Sequence, residues 1–176
     1  EERGRIEARR KWIKGKRLQS DDDILRALRM GIGAINVESV QELYVVNALA
    51  AREGVTAKVC IRVNPNIDAH THSYITTGLE ENKFGIGMWE LDSVIEKIAG
   101  MANVNLTGLH FHIGSQITDV VEVFRTESRC AREIVDYFED RGLKVGHVDF
   151  GGGLGVDYDD PDSQPSACFD IWMKSL

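Results

Sequence analysis

The sequence of 176 residues contains only three prolines, three cysteines and few aromatic side chains. The cysteines Cys60, Cys130 and Cys168 are odd in number and far apart, which argues against a disulfide framework and favours free thiols in a reducing cytoplasm. No apolar run approaches the roughly 20 residues that a membrane-spanning helix requires. The charged first residues are not followed by the apolar segment of a signal peptide. We therefore expect a cytoplasmic protein that does not insert into a membrane.

Positive charge is scarce over most of the chain. The formal net charge is -7, and this acidic balance argues against nucleic acid or an anionic membrane as the main partner. Residues 1–17 are the exception, because they carry eight Lys or Arg against three Glu. Such a segment is either a solvated terminus or a binding arm for an acidic partner. We expect residues 1–17 to be a basic N-terminal arm outside the fold and residues 18–176 to form one domain.

Helix and strand signals alternate along the rest of the chain. Ser20 precedes three aspartates, as at a helix N-terminus. Ser39 and Glu42 form an S-x-x-E capping box that begins a further helix, which ends at Gly54. A long loop is expected over residues 66–87. Four apolar runs have strand character: residues 34–37, 58–63, 106–113 and 147–150. The alternation predicts a parallel α/β sheet, either open and doubly wound or part of a barrel.

A run of three glycines follows the fourth predicted strand, at Gly151, Gly152 and Gly153. Active sites of parallel α/β folds lie beyond the carboxyl ends of the strands. Backbone N–H groups in such a run can approach an anion closely, because no Cβ intervenes. The run is therefore either a phosphate-binding turn or a flexible Gly-rich turn. It is neither a P-loop, since no G-K-[ST] follows, nor the dinucleotide fingerprint.

Two histidines and one arginine on the predicted strands are further candidates. His110 and His112 lie two residues apart on the third strand, so both should point to one face. Without neighbouring carboxylate ligands they are weak zinc ligands, and we expect no metal. One imidazole could stack on a planar ligand, or be hydrogen-bonded inside the fold. Arg62 lies among apolar residues and needs an anionic partner, either a cofactor or an acidic residue of a neighbouring strand. Asp149 poses the same question.

Several motifs together resemble a known family. They are R-V-N-P at 62–65, A-H-T-H at 69–72, T-G at 77–78, K-F-G at 83–85, G-L-H-F-H-I-G-S-Q at 108–116 and D-F-G-G-G-L-G at 149–155. Their order resembles the diaminopimelate decarboxylase family, within the pyridoxal-phosphate-dependent decarboxylases of the alanine-racemase-like fold. H-x-G-S and G-G-G also recur in ornithine and arginine decarboxylases. The alternatives are therefore a related ornithine- or arginine-type decarboxylase, or a non-catalytic remnant that binds pyridoxal phosphate or phosphate.

The resemblance implies a fold, a cofactor and roles for particular residues. The fold would be a partial (β/α)8 TIM barrel of the pyridoxal-phosphate-binding type, covering about strands four to seven. His112 would stack on the pyridine ring, Ser115 and the glycines at 151–153 would hold the phosphate, and Arg62 would lie near the ring nitrogen or its supporting network. The implied reaction removes CO₂ from the small amino acid meso-diaminopimelate and gives L-lysine, with the cofactor as electron sink.

The chain departs from this family in the motifs it does not contain. The family's Schiff-base lysine stands in an early-strand motif like Y-x-L-K-A-N, which is not found here, and the E-P-G-R phosphate motif is also absent. We therefore expect no catalytic residue within the chain. We expect an internal fragment of a longer enzyme, inactive on its own as a decarboxylase.

Part of a barrel would leave apolar faces and strand edges open, so we expect copies of the chain to associate. Sedimentation velocity at micromolar concentration should show a homo-oligomer. A well-folded monomer under those conditions would contradict this expectation.

Overall fold

The computed structural model describes residues 20–66, 84–156, 158–159 and 169–176. The basic arm predicted for residues 1–17, the domain boundary that follows it, most of the predicted loop over 66–87 and Cys168 all lie outside the described residues.

The described residues form helices that alternate with parallel strands. The helices are α1 (Asp21–Arg29), α2 (Val40–Glu53), α3 (Leu91–Ala99), α4 (Val120–Glu139) and α5 (Phe169–Ser175), with a 3-10 turn at Met88–Glu90. The strands are β1 (Ile35–Val37), β2 (Ala57–Asn64), β3 (Ile86–Gly87), β4 (Val104–His110) and β5 (His147–Asp149). The main sheet has the order β1-β2-β4-β5, and β3 pairs with the end of β2. The parallel arrangement predicted from the alternation is confirmed, whereas the short β3 was not predicted.

Both predicted helix starts are capped by a serine. Ser20 Oγ accepts from the N–H of Asp23 at 3.3 Å, and Ser39 Oγ accepts from the N–H of Glu42 at 3.1 Å. The returning bond of the second cap differs from a standard capping box, because the Glu42 carboxylate accepts from the N–H of Glu38 at 2.8 Å. The cap therefore fixes the backbone of Glu38, at the carboxyl end of β1.

Strand β4 ends earlier than the sequence predicts. It stops at His110, three residues before the expected end. The N–H of Phe111 still donates to the carbonyl oxygen of Asp149 at 2.7 Å, but the chain then turns away through Gly114 (φ 146°) and Gln116 (φ 61°). The prediction that both histidines lie on one strand is wrong, because His112 belongs to the loop that follows it. The two-residue alternation of a strand therefore does not determine where the His112 side chain points.

The two faces of the sheet differ in polarity. Val59, Ile61 and Val63 of β2 are almost completely buried, and they belong to the same apolar cluster as residues of the flanking helices. Arg62 and Asn64 alternate with them and lie on the opposite face, which is more polar. Within the part of the chain that the structure describes, no helix combines the length and apolar character needed to cross a membrane.

Two helix-ending glycines provide a matched test of the fold. Gly54 follows α2 with φ 67°, whereas Gly100 follows α3 with φ -86°. We expect Gly54→Ala to lower the free energy of unfolding by about 1 kcal/mol, because L-residues are strained in the left-handed region. Gly100→Ala should change it by less than about 0.5 kcal/mol. Urea unfolding followed by circular dichroism measures both, and equal losses would show that the left-handed conformation is not the cause.

Candidate cofactor site

Four polar side chains lie side by side at the carboxyl ends of neighbouring strands. They are Glu38, directly after β1, and Arg62, His110 and Asp149, on β2, β4 and β5. The strand register pairs Arg62 with His110 and His110 with Asp149. Residues paired in this way point to the same face of a parallel sheet. We call these four residues the charged row.

Arg62 is paired with an acidic residue of the neighbouring strand end. Its Nη1 donates to Glu38 Oε1 at 2.8 Å, and the two side chains are only 15% and 18% exposed. The guanidinium also lies 5.6 Å from the centroid of the Phe84 ring, within the range of a cation–π contact. One of the two partners that the sequence left open is therefore present. A further role of Arg62 beside a cofactor remains a prediction.

Both histidines of the site are held towards the neutral form. Burial lowers the pKa of His110, and Arg62 lowers it further against the opposing effect of Asp149. Burial and then Arg62 likewise lower the pKa of His112. Among the described residues, buried Nδ1 of His110 has no hydrogen-bond partner. The site thus offers uncharged imidazole rings and one unsatisfied ring nitrogen at neutral pH.

Two of the three glycines are required by close packing. Gly151 has φ 71°, and a Cβ there would lie 2.6 Å from the Phe111 carbonyl oxygen and 2.8 Å from His112 Nδ1. Gly153 has φ 98°, and its Cβ would collide with the carbonyl oxygen of Gly114. The His112 side chain therefore lies directly against Gly151. The fold itself explains glycine at positions 151 and 153.

Gly152 differs from its neighbours, because no other heavy atom of the described residues lies within 4 Å of the position that a Cβ would take. Within the described ranges, neither its N–H nor that of Gly153 donates to a protein acceptor. The N–H of Gly151, in contrast, donates to Asp149 Oδ1 at 2.8 Å. Among the described residues, the turn thus offers two adjacent donors without a protein acceptor, at Gly152 and Gly153, and the Cβ position of Gly152 is open.

The loops that follow β4 and β5 are joined along residues 114–117 and 153–156, which we call the two-loop seam. The Ile117 N–H donates to the Gly153 carbonyl oxygen, and the Gly155 N–H donates to the Ile117 carbonyl oxygen, both at 2.9 Å. The Gln116 side chain binds both the N–H and the carbonyl oxygen of Val156. Ser115 is exposed within this seam. The structure thus brings His112, the glycines and the loop that carries Ser115 together, with Arg62 two strands away from β5.

A buried cysteine has a histidine neighbour that sequence spacing did not suggest. Cys60 Sγ lies 3.0 Å from Nε2 of His147, and it is also near the Thr107 hydroxyl. Burial nevertheless raises the pKa of the Cys60 thiol to about 11. The thiol is therefore protonated and unreactive at neutral pH, as expected of a structural cysteine.

Glu127 is the residue that sequence reasoning missed. It is 0% exposed, and neither carboxyl oxygen has a hydrogen-bond partner among the described residues. Burial raises its pKa to about 8, and the carboxylate of Asp149 also raises it. It stands three residues after Phe124 and four before Ala131, both on the inward side of α4. That spacing is the signal in the sequence that places an acid on the buried face.

Similarity to known proteins defines the class to which the chain belongs. Residues 10–174 match the family described as pyridoxal-dependent decarboxylase, pyridoxal binding domain. The chain belongs to this family. The α/β fold class and the partial (β/α)8 barrel expected from the resemblance are confirmed, because the solved structures that the chain resembles are decarboxylases of that fold.

Several of the relatives share one name, diaminopimelate decarboxylase. The chain is 48% identical over 146 residues to a diaminopimelate decarboxylase of Bacteroides thetaiotaomicron, covering 83% of this chain and 38% of the relative. A variant of the Helicobacter pylori diaminopimelate decarboxylase, solved in complex with L-lysine, has a TM-score of 0.78 at 35% identity, over 89% of this chain and 39% of that one. The chain thus spans less than half the length of these relatives.

A more distant solved structure has the same fold. The arginine decarboxylase of Paramecium bursaria Chlorella virus has a TM-score of 0.68 at 20% identity, over 89% of this chain and 38% of that one. At this identity the likeness shows the fold alone.

The buried carboxyl of Glu127 predicts how stability depends on pH. Its pKa in the folded chain, about 8, is above the ordinary 4.5. The bound proton therefore contributes stability that is complete below pH 4.5 and is lost as the pH rises towards 8. At about 1.4 kcal/mol per pKa unit, burial of this group costs roughly 3 kcal/mol at neutral pH.

Glu127→Gln removes this proton dependence. Between acidic and neutral pH, the unsubstituted chain should lose roughly 3 kcal/mol more of its free energy of unfolding than the Glu127→Gln variant loses. Urea unfolding at several pH values measures the difference. Glu133→Gln, an exposed position of the same helix, is the control and should follow the unsubstituted chain. A Glu127→Gln profile parallel to the control would contradict the prediction.

Proposed function

We propose that this chain is part of the cofactor-binding barrel of a diaminopimelate decarboxylase, which converts meso-diaminopimelate to L-lysine and CO₂. Family membership and the name shared by relatives at 35–48% identity support the proposal. The observation that carries it is local. The half-buried imidazole of His112 lies against Gly151, next to two backbone N–H groups that have no acceptor among the described residues.

These groups suit the parts of pyridoxal phosphate. The free N–H groups of Gly152 and Gly153 can donate to phosphate oxygens, and the exposed hydroxyl of Ser115 can add a further donor. The neutral ring of His112 offers a flat face to the pyridine ring. The cofactor, when bound, supplies the electron sink for decarboxylation.

Arg62 would support the site through its remaining donors. A guanidinium has five N–H donors, and the bond to Glu38 uses one of them. Glu38 compensates the positive charge and fixes the planar group, so that the other donors can face the cofactor ring or its neighbours. We place Arg62 in this supporting network, as the family resemblance implies.

The chain by itself is expected to bind the cofactor without performing the reaction. None of its lysines stands in a motif like that of the family's Schiff-base lysine. Of the lysines that the structure describes, Lys58 is at the amino-terminal part of β2, Lys97 is on α3, Lys144 precedes β5 and Lys174 is on α5. The chain's residues would hold and orient the cofactor, in a cytoplasmic enzyme whose other segments complete the site.

Gly152→Ala separates this proposal from a purely structural role of the glycine turn. The added methyl has open space in the fold, so stability should be unchanged. The methyl would fill the open space beside Gly152, where we place the cofactor phosphate. Loss of one hydrogen bond to a charged group should weaken pyridoxal phosphate binding about tenfold or more.

The measurement is a titration of both chains with pyridoxal 5′-phosphate, followed by cofactor absorbance and tryptophan fluorescence. For the unsubstituted chain we expect saturable binding that inorganic phosphate competes away, with no visible band that borohydride removes. Equal affinity of the two chains, or no saturable binding by either, would contradict the proposal. Gly100→Ala, at a helix end away from the site, is the control.

A further inference from the structure

Asp149 contacts both segments that build the candidate site. Its Oδ1 accepts from the N–H of Gly151 at 2.8 Å, and its carbonyl oxygen accepts from the N–H of Phe111 at 2.7 Å. Phe111 immediately precedes His112, which lies against Gly151. One residue thus joins the glycine turn to the segment that carries the imidazole.

The glycine turn needs such an anchor. Glycines have more backbone freedom than other residues, so three in succession do not select one conformation by themselves. A carboxylate that accepts from the N–H two residues later closes a local turn. At Gly151, with φ 71°, this bond fixes the entry to the turn and leaves Gly152 and Gly153 as its free donors.

The negative charge of Asp149 is otherwise unfavourable beside an anion. A carboxylate near a bound phosphate repels it, and the positive charge of Arg62 is already compensated by Glu38. Its presence is explained by the hydrogen bond, because bonds to a charged acceptor are roughly twice as strong as neutral ones. Removal of the Asp149 carboxylate should therefore strengthen anion binding if charge repulsion is the main effect. It should weaken anion binding if the hydrogen bond to Gly151 is the main effect.

We propose that Asp149 is a positioning residue, and this inference rests on the proposed function. Asp149 holds the glycine turn through the Gly151 N–H, so that Gly152 and Gly153 can bind the cofactor phosphate. It touches neither the phosphate nor the ring. It acts only through the conformation of the turn.

Two substitutions separate positioning from charge. Asp149→Asn keeps an oxygen that can accept from Gly151 and removes the charge, so pyridoxal 5′-phosphate affinity should stay within about threefold of the original or improve. Asp149→Ala removes both, and affinity should fall about tenfold or more. If repulsion were the main effect, both variants would bind more tightly. That result, or equal affinity in all three chains, would overturn the proposal.

Amide hydrogen exchange tests the anchor without a ligand. In the unsubstituted chain the Gly151 amide should exchange more slowly than that of Gly152, although Gly151 is exposed, because only Gly151 is hydrogen-bonded. Asp149→Asn should keep this protection, and Asp149→Ala should remove it. Equal exchange at Gly151 and Gly152 in the unsubstituted chain would overturn the proposal even if the alanine variant fails to fold.

The two measurements also distinguish this inference from the proposed function. Protection of Gly151 that depends on Asp149, in a chain that does not bind pyridoxal 5′-phosphate, would support the anchor and count against cofactor binding. Binding that is unaffected by Asp149→Ala would leave the function standing and remove the positioning role.

Discussion

The ion pair between Arg62 and Glu38 is the constraint on which the arrangement of the strand ends depends. A guanidinium in a largely buried position must be compensated, since removing one partner leaves an uncompensated charge. Successive residues of a strand point to opposite faces, so a slip of one residue between β1 and β2 would carry Glu38 to the apolar side. The observed register is therefore the one that satisfies the charge. The bond from Glu38 N–H to the Glu42 carboxylate links the same position to the start of α2.

The remaining members of the charged row follow from this register. Pairing of β2 with β4 places His110 beside Arg62, and pairing of β4 with β5 places Asp149 beside His110. The row thus has an acid at each end, Glu38 and Asp149, with Arg62 and His110 between them. Both imidazoles are kept neutral mainly by burial, with Arg62 acting in the same direction. Electrostatics and strand register together place a neutral imidazole and a compensated guanidinium side by side at the carboxyl ends of β2 and β4.

Local signals in the sequence were sufficient for most of the fold. Capping serines at Ser20 and Ser39, the left-handed glycine at Gly54 and the apolar strand runs each depend on a few neighbouring residues, and they gave the element order. The end of β4 was misplaced, because the apolar Phe111 and Ile113 continue the strand pattern while the backbone already turns. Both are buried, so their apolar character reflects packing rather than strand structure.

The site could be predicted only in part, because its decisive contacts are long-range. The motifs that gave the resemblance located His112 and the glycines, but not the packing of His112 on Gly151. The acidic partner that Arg62 requires was expected on a neighbouring strand, but its identity as Glu38 depends on the strand register. Glu127, in contrast, has a local signal in the sequence. Its spacing on α4 indicated burial, but a lone acid among apolar residues contradicts the usual preference for solvent, so pattern alone did not reveal it.

The two-loop seam has a consequence for how ligand binding and folding are linked. Hydrogen bonds already join Ile117 to Gly153 and Gln116 to Val156 in the folded chain. The two loops therefore lose their conformational entropy when the chain folds. A ligand that bridges them meets ordered partners and needs little further ordering. Such a ligand binds the folded chain and not the unfolded one, so site occupancy should appear directly as a rise in melting temperature. Conversely, a substitution that loosens the seam lowers thermal stability and affinity together, even if it contacts no ligand.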